Sequence, residues 1–104
     1  MYSIADFKAI NHLDKLVLTQ HSRKRFTERG ISVLDILAVI DSGEIIEQYS
    51  DDFPFPSCLI MGKSEEITIH VVASINEGMI YIITAYVPDI SKWNNDLKTR
   101  KEKQ

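Results

Sequence analysis

Apolar residues follow a helical rhythm in the first half of the chain and a strand rhythm in the second. Ile4, Phe7 and Ile10 recur at intervals of three, predicting an amphipathic helix over residues 4 to 13. A brief apolar stretch, Leu16-Val17-Leu18, follows it and could add a strand to a sheet. Thr19 can accept a backbone N–H bond as an N-cap, and Gly30 suits the left-handed position just past a helix end, so a second helix is expected at about 20 to 29. Ser32 and Asp35 have the spacing of a capping box, and Val33, Leu34, Ile36, Leu37, Val39 and Ile40 give the next helix a broad apolar face before Gly43.

Beyond Gly43 the segments Glu44 to Tyr49, Cys58 to Met61, Ile67 to Ile75 and Met79 to Val87 are rich in Ile, Val and Tyr and bounded by turn residues. Pro54 and Pro56 mark a connection, and Lys63-Ser64-Glu65-Glu66 a hairpin loop. Asn76-Glu77-Gly78 fits a three-residue loop, which would pair Ile75 with Met79 and set Val72 opposite Ile82, His70 opposite Thr84 and Thr68 opposite Tyr86. A two-residue turn at Glu77-Gly78 would separate those partners. Ser91 to Leu97 predicts a closing helix with Trp93 and Leu97 one turn apart, and residues 98 to 104 a frayed charged tail. The expected architecture is one α+β domain over residues 1 to 104. Its mainly antiparallel sheet of four or five strands is packed by N-terminal helices and a C-terminal helix.

The 104 residues, 44% hydrophobic, suffice for one modest core. Cys58 is the only cysteine, so no intrachain disulfide can form, and no grouping of Cys and His has metal-site spacing; neither metal nor cofactor is expected. With scattered charges at the start and no apolar run near 20 residues, a secretory leader and a membrane span are not expected, and a cytoplasmic location is.

The net charge of −3 conceals a segregation. Residues 15 to 30 hold five basic groups against Glu28, whereas residues 35 to 52 hold six acids and neither Lys nor Arg. On a helix His21, Arg25 and Arg29 fall at successive i+4 positions, so one face would carry an imidazole and two guanidinium groups suited to phosphate or carboxylate.

The chain resembles domain-of-unknown-function family 4258 (DUF 4258). The residues that carry the resemblance are His21, Arg25, Arg29-Gly30-Ile31-Ser32, Gly43-Glu44-Ile45-Ile46-Glu47, Asp51-Asp52, Pro54, Pro56-Ser57, His70-Val71-Val72, Thr84-Ala85-Tyr86 with Pro88-Asp89, and Trp93. They cover about residues 17 to 97. That family is similar to RelE/ParE-type toxins, within the small ribonuclease folds that include barnase-like and colicin-like domains. The resemblance implies metal-independent RNA cleavage in a toxin–antitoxin type system, with RNA and a cognate antitoxin as partners.

Such cleavage needs a base for the ribose 2′-hydroxyl, an acid for the leaving oxygen and cations against the phosphorane. His21 and His70 are the candidate proton carriers, with Arg25 against the phosphorane and Thr84 and Tyr86 as orienting groups. Arg29, Lys24 and Arg23 are candidate RNA phosphate contacts. These residues are expected to meet in one open cleft where the basic helix reaches the sheet edge. Each has a plainer reading: His70 as a satisfied strand histidine, Thr84 and Tyr86 as ordinary sheet residues, Arg25 as an ion pair with Asp51 or Asp52, and Trp93 as a core anchor. A non-catalytic module binding RNA or a protein would use the arginines without the histidines.

Overall fold

The computed structural model describes residues 1 to 102. Among the described residues three α-helices, α1 (Ile4–Lys8), α2 (Gln20–Glu28) and α3 (Val33–Ser42), and a 3-10 turn at Leu13–Lys15 precede the long strands. The strands are β1 (Leu16–Val17), β2 (Glu44–Tyr49), β3 (Ser57–Ser64), β4 (Ile67–Asn76) and β5 (Met79–Tyr86). They form one five-stranded sheet in the order β1-β5-β4-β3-β2, antiparallel except where β1 runs parallel to β5. The fold is therefore α+β, with the short Leu16–Val17 segment supplying the fifth strand. None of the described helices is long and apolar enough to cross a membrane.

The helix boundaries follow local chemistry. Thr19 Oγ1 accepts the Ser22 N–H at 3.0 Å, and Gly30 takes φ +71° just past the end of α2. Ser32 and Asp35 close the capping box of α3. The first helix is shorter than its apolar spacing suggests, ending at Lys8 rather than continuing to residue 13. Asn11 there donates its side-chain amide to Leu37 O at 2.9 Å, which ties the chain across to α3 instead of extending the helix.

Ile36, Val39 and Ile40 of α3 pack with Cys58, Ile60, Ile69, Val71, Ala73, Ile80, Ile82 and Ala85 on one sheet face, joined by Phe7, Phe26 and Ile31. Close approach decides two glycines. A Cβ on Gly62 would lie 2.2 Å from Val39 O, and one on Gly43 2.4 Å from the same atom, so any side chain would push α3 off β3.

The β4–β5 register differs from the expected one. Glu77 and Gly78 both take positive φ, +51° and +75°, in a two-residue turn that pairs Asn76 with Met79. Ser74 then pairs with Tyr81 and Ala73 with Ile82; a bulge at residue 83 sets Val72 opposite Thr84 and His70 opposite Tyr86. His70 is thus not opposite Thr84, nor Val72 opposite Ile82, nor Thr68 opposite Tyr86. The turn shifts the pairing by one position and the bulge by another. Another two-residue turn, Glu65-Glu66 at φ +48° and +74°, joins β3 to β4, making β3 longer than Cys58 to Met61.

No closing helix forms after β5. Asp96 accepts the Lys98 and Thr99 N–H groups at 3.0 Å each, and Leu97 takes φ +60°, so local side-chain acceptors replace a helical ladder. Residues 98 to 101 do not stand off as a tail: Lys98 pairs with Glu44 at 3.0 Å, Arg100 with Glu47, and Lys101 N–H bonds Lys92 O at 3.0 Å. Opposite charges on β2 hold a segment whose composition alone suggests fraying. Residues 103 and 104 of that expected tail lie outside the described residues.

Candidate functional site

Two bulges build a polar patch on the sheet face away from the helices. Strand alternation places Ile45 with the core, and the bulge at residue 46 then turns Glu47 and Tyr49 to the opposite face, opposite Leu59 and Ser57. The bulge at residue 83 does the same for Thr84 and Tyr86, which pair with Val72 and His70. Glu47, Tyr49, His70, Thr84 and Tyr86 consequently share one surface, over which residues 93 to 100 are laid as a strap.

His70 is the centre of that patch and is fully buried. Its Nε2 lies 2.6 Å from Leu97 O, and a carbonyl only accepts, so Nε2 carries the proton. Nδ1 is then the acceptor for the Tyr86 hydroxyl at 3.3 Å. Trp93, also buried, meets the imidazole edge-to-face with centroids 4.5 Å apart, and Arg100 stands 4.6 Å over the Trp93 ring. Burial lowers the His70 pKa from 6.5, against the opposing pull of the Leu97 carbonyl and Glu47. His70 is a neutral imidazole with both nitrogens engaged.

Arg100 reaches Glu47 through two parallel bonds, Nε to Oε2 at 2.9 Å and Nη2 to Oε1 at 3.0 Å, and the Tyr49 hydroxyl also donates to Glu47. Burial works to raise the Glu47 pKa, but the bonds from Arg100 and Tyr49 outweigh it and the net displacement is downward. Burial, reinforced by Glu47, pushes the Tyr49 phenol up to about 12. Composition and motif spacing did not single out Glu47, Tyr49 or Arg100 as partners. The one available signal was that Glu47 and Tyr49, two apart in a strand, share a face.

Helix α2 brings the remaining candidates to the sheet margin. Phe26 is buried, which turns His21, Arg23, Lys24 and Arg25 to solvent. Among the described residues none of these four side chains is held by a salt bridge, and the expected partner Asp52 instead accepts the Ser57 hydroxyl at 2.6 Å. Arg29, at the C-cap, donates Nη1 to Ala85 O at 2.7 Å and to Thr84 Oγ1 at 3.3 Å. Arg29 and Tyr86 line an open cavity of about 370 Å³ together with Lys92, Asp89 and Arg100. The structure therefore joins His70 to Tyr86 and Arg29 to Thr84. His21 and Arg25 stay on the exposed helix face and share no hydrogen bond with His70, Thr84 or Tyr86. Among the described residues no group of three or more His, Cys, Asp or Glu side chains could hold a metal ion.

Fold and site define a small α+β domain with a cationic helix set beside a strapped polar sheet face. The chain belongs to the family described as Domain of unknown function (DUF4258), whose sequence model matches residues 18–87, from the end of β1 through β5. Comparison with curated proteins and with solved structures finds no match.

Proposed function

We propose that this protein binds RNA, as a RelE/ParE-type relative of the small ribonucleases working in the cytoplasm within a toxin–antitoxin type system. The observation that carries the reading is the state of the α2 cations: Arg23, Lys24 and Arg25 are exposed without an acidic partner among the described residues. Arg29 extends the row, because its guanidinium is fixed by a carbonyl and a hydroxyl, which leave its charge unneutralised. At 1.5 Å rise per residue, His21 to Arg29 spans about 12 Å. That length lets the row meet more than one phosphate of a single RNA strand. Cys58 is a free, buried thiol with no disulfide partner in the chain, the cysteine usage of a reducing compartment.

Cleavage is the second reading, favoured by the Tyr86–His70 pair behind the Arg29 cavity. There the Tyr86 phenol would take the 2′-hydroxyl proton as its own passes to His70 Nδ1, and as the P–O5′ bond breaks Tyr86 would give a proton to the leaving 5′-oxygen while His70 Nδ1 returns one to Tyr86; Arg29 and Lys92 would hold the phosphorane. His21 has no bond to this pair, so the acid and base roles fall to Tyr86 and His70.

Fluorescence anisotropy with a labelled 12-mer oligouridine tests the binding. The double variant Arg25→Ala, Arg29→Ala is expected to weaken binding and to flatten the salt dependence by about 0.7 for each phosphate no longer neutralised. Unchanged affinity and slope would overturn the RNA reading. Cleavage of the same oligomer in EDTA, falling about 10²-fold in Tyr86→Phe, would establish the catalytic form.

A further inference from the structure

The sheet face that carries His70 has, at its other end, a surface of opposite character. Ser74 and its partner Tyr81, the bulged Ile83, and Phe53, Pro54 and Phe55 of the β2–β3 connection enclose a cavity of about 460 Å³. Phe55 stands against Tyr81 with ring centroids 6.4 Å apart, so one wall is aromatic. Phe53 is 92% exposed and Ile83 47% exposed, a concentration of apolar surface that the fold itself leaves uncovered. Ser74, only 3% exposed, lines the cavity and places a hydroxyl within an otherwise largely apolar lining.

Charge decides what such a cavity can take. Of the acids in this part of the chain, Glu44 and Glu47 are neutralised by Lys98 and Arg100. Asp51 and Asp52, which lead directly into Phe53, are exposed and form no salt bridge among the described residues. Asp52 itself also lines the cavity, and neither Lys nor Arg does. Aromatic rings could stack on bases, but a phosphate backbone would then run beside two carboxylates without a counter-charge. A polypeptide meets both conditions at once, since an apolar side chain fills the cavity while a neighbouring Lys or Arg faces the carboxylates.

We propose that the cavity framed by Phe53, Phe55, Tyr81 and Ile83 is a docking site for a polypeptide segment that presents a large apolar side chain flanked by Lys or Arg. Its chemistry separates it from α2: one surface attracts anions, the other cationic protein. Both can be occupied in one molecule.

Selection of a random 12-residue peptide display library on the immobilised full chain tests the site. Enriched peptides are expected to share a Trp, Phe or Leu with a basic residue within two positions. A synthetic copy should bind about tenfold more weakly to the double variant Phe53→Ala, Phe55→Ala and to Asp51→Lys. Phe53 and Asp51 are exposed, so thermal unfolding of Asp51→Lys and of the single variant Phe53→Ala, which should bind as weakly, is expected to match the parent and separates lost binding from the packing that Phe55→Ala takes from Tyr81. On binding, amide resonances of Ser74, Tyr81 and Ile83 should shift, while those of α2 stay in place. Enriched peptides that are acidic or lack an apolar residue, affinity unchanged in both variants, or failure of the library to yield a binder would overturn the proposal. Shifts at Ser74 and Tyr81 produced by oligouridine would reassign the cavity to nucleic acid. The Arg25→Ala, Arg29→Ala variant is expected to keep its peptide affinity, so failure of the RNA reading and failure of this one are distinguishable.

Discussion

Replacing His70 with alanine takes away the donor to Leu97 O, the acceptor for the Tyr86 hydroxyl, and an imidazole packed edge-to-face on two rings. Leaving the half-buried Leu97 carbonyl without its donor costs at most about 1–3 kcal/mol, and each aromatic pairing about 0.5–1.5 kcal/mol. A loss of about 3 kcal/mol follows even if the strap partly collapses into the space, and at about 4–8 °C per kcal/mol it lowers the melting temperature by more than 10 °C. The change also alters pH dependence. His70 is buried neutral and its folded pKa lies below 6.5, so the unfolded chain binds a proton that the folded chain refuses. Its stabilisation is complete above pH 6.5 and falls as pH drops from there toward the folded pKa, with a slope of at most about 1.4 kcal/mol per pH unit. Urea titrations of the parent and His70→Ala at pH 8, 7, 6 and 5.5 measure both effects. A variant within about 1 kcal/mol of the parent at pH 8, or one that keeps the parent's slope between pH 7 and 5.5, would refute the account of His70 as the neutral pin of the strap.

Gly62→Ala is expected to destabilise by about 3 kcal/mol or more, because its Cβ would meet Val39 O at 2.2 Å, whereas Gly78→Ala, with open space but φ +75°, should cost only about 1–2 kcal/mol; thermal melts rank the two. Glu66→Gly is expected to raise stability by about 1 kcal/mol in the same melts, since Glu66 is held at φ +74° in the β3–β4 turn. In Arg100→Ala, burial acts on Glu47 with less opposition, so its carboxyl pKa should rise in a ¹³C NMR titration. The depressed parent value contributes stability above pH 4.5 that is lost as pH falls through it, and this contribution shrinks in the variant. With Arg100 more than half exposed, the accompanying loss at pH 7 should stay below about 1 kcal/mol.

Most of what neighbours a few residues apart govern was legible along the chain, although α1 stops at Lys8 and Asp96, a local acceptor, replaces the helix expected over residues 91 to 97. Thr19 and Gly30 bound α2, Ser32 and Asp35 cap α3, and the change from helical to alternating periodicity after Gly43 marks the sheet. The cationic face of α2 was legible too, because helix phase alone sets His21, Lys24 and Arg25 about 100° or more from Phe26. Register was not. Asn76-Glu77-Gly78 is compatible with two loop lengths, and the bulges at residues 46 and 83 reflect fit against the neighbouring strands and the core, with no local sequence signature. The strap was hidden for a related reason. Residues 94 to 100 read alone as a helix end and a charged tail, and only the folded sheet brings Glu44, Glu47 and His70 beneath Lys98, Arg100 and Leu97, more than 25 residues away along the chain. Local spacing determines which elements form and which faces they offer. Whether His70 meets a proton partner, a carbonyl or solvent depends on long-range closure, which tertiary packing alone decides.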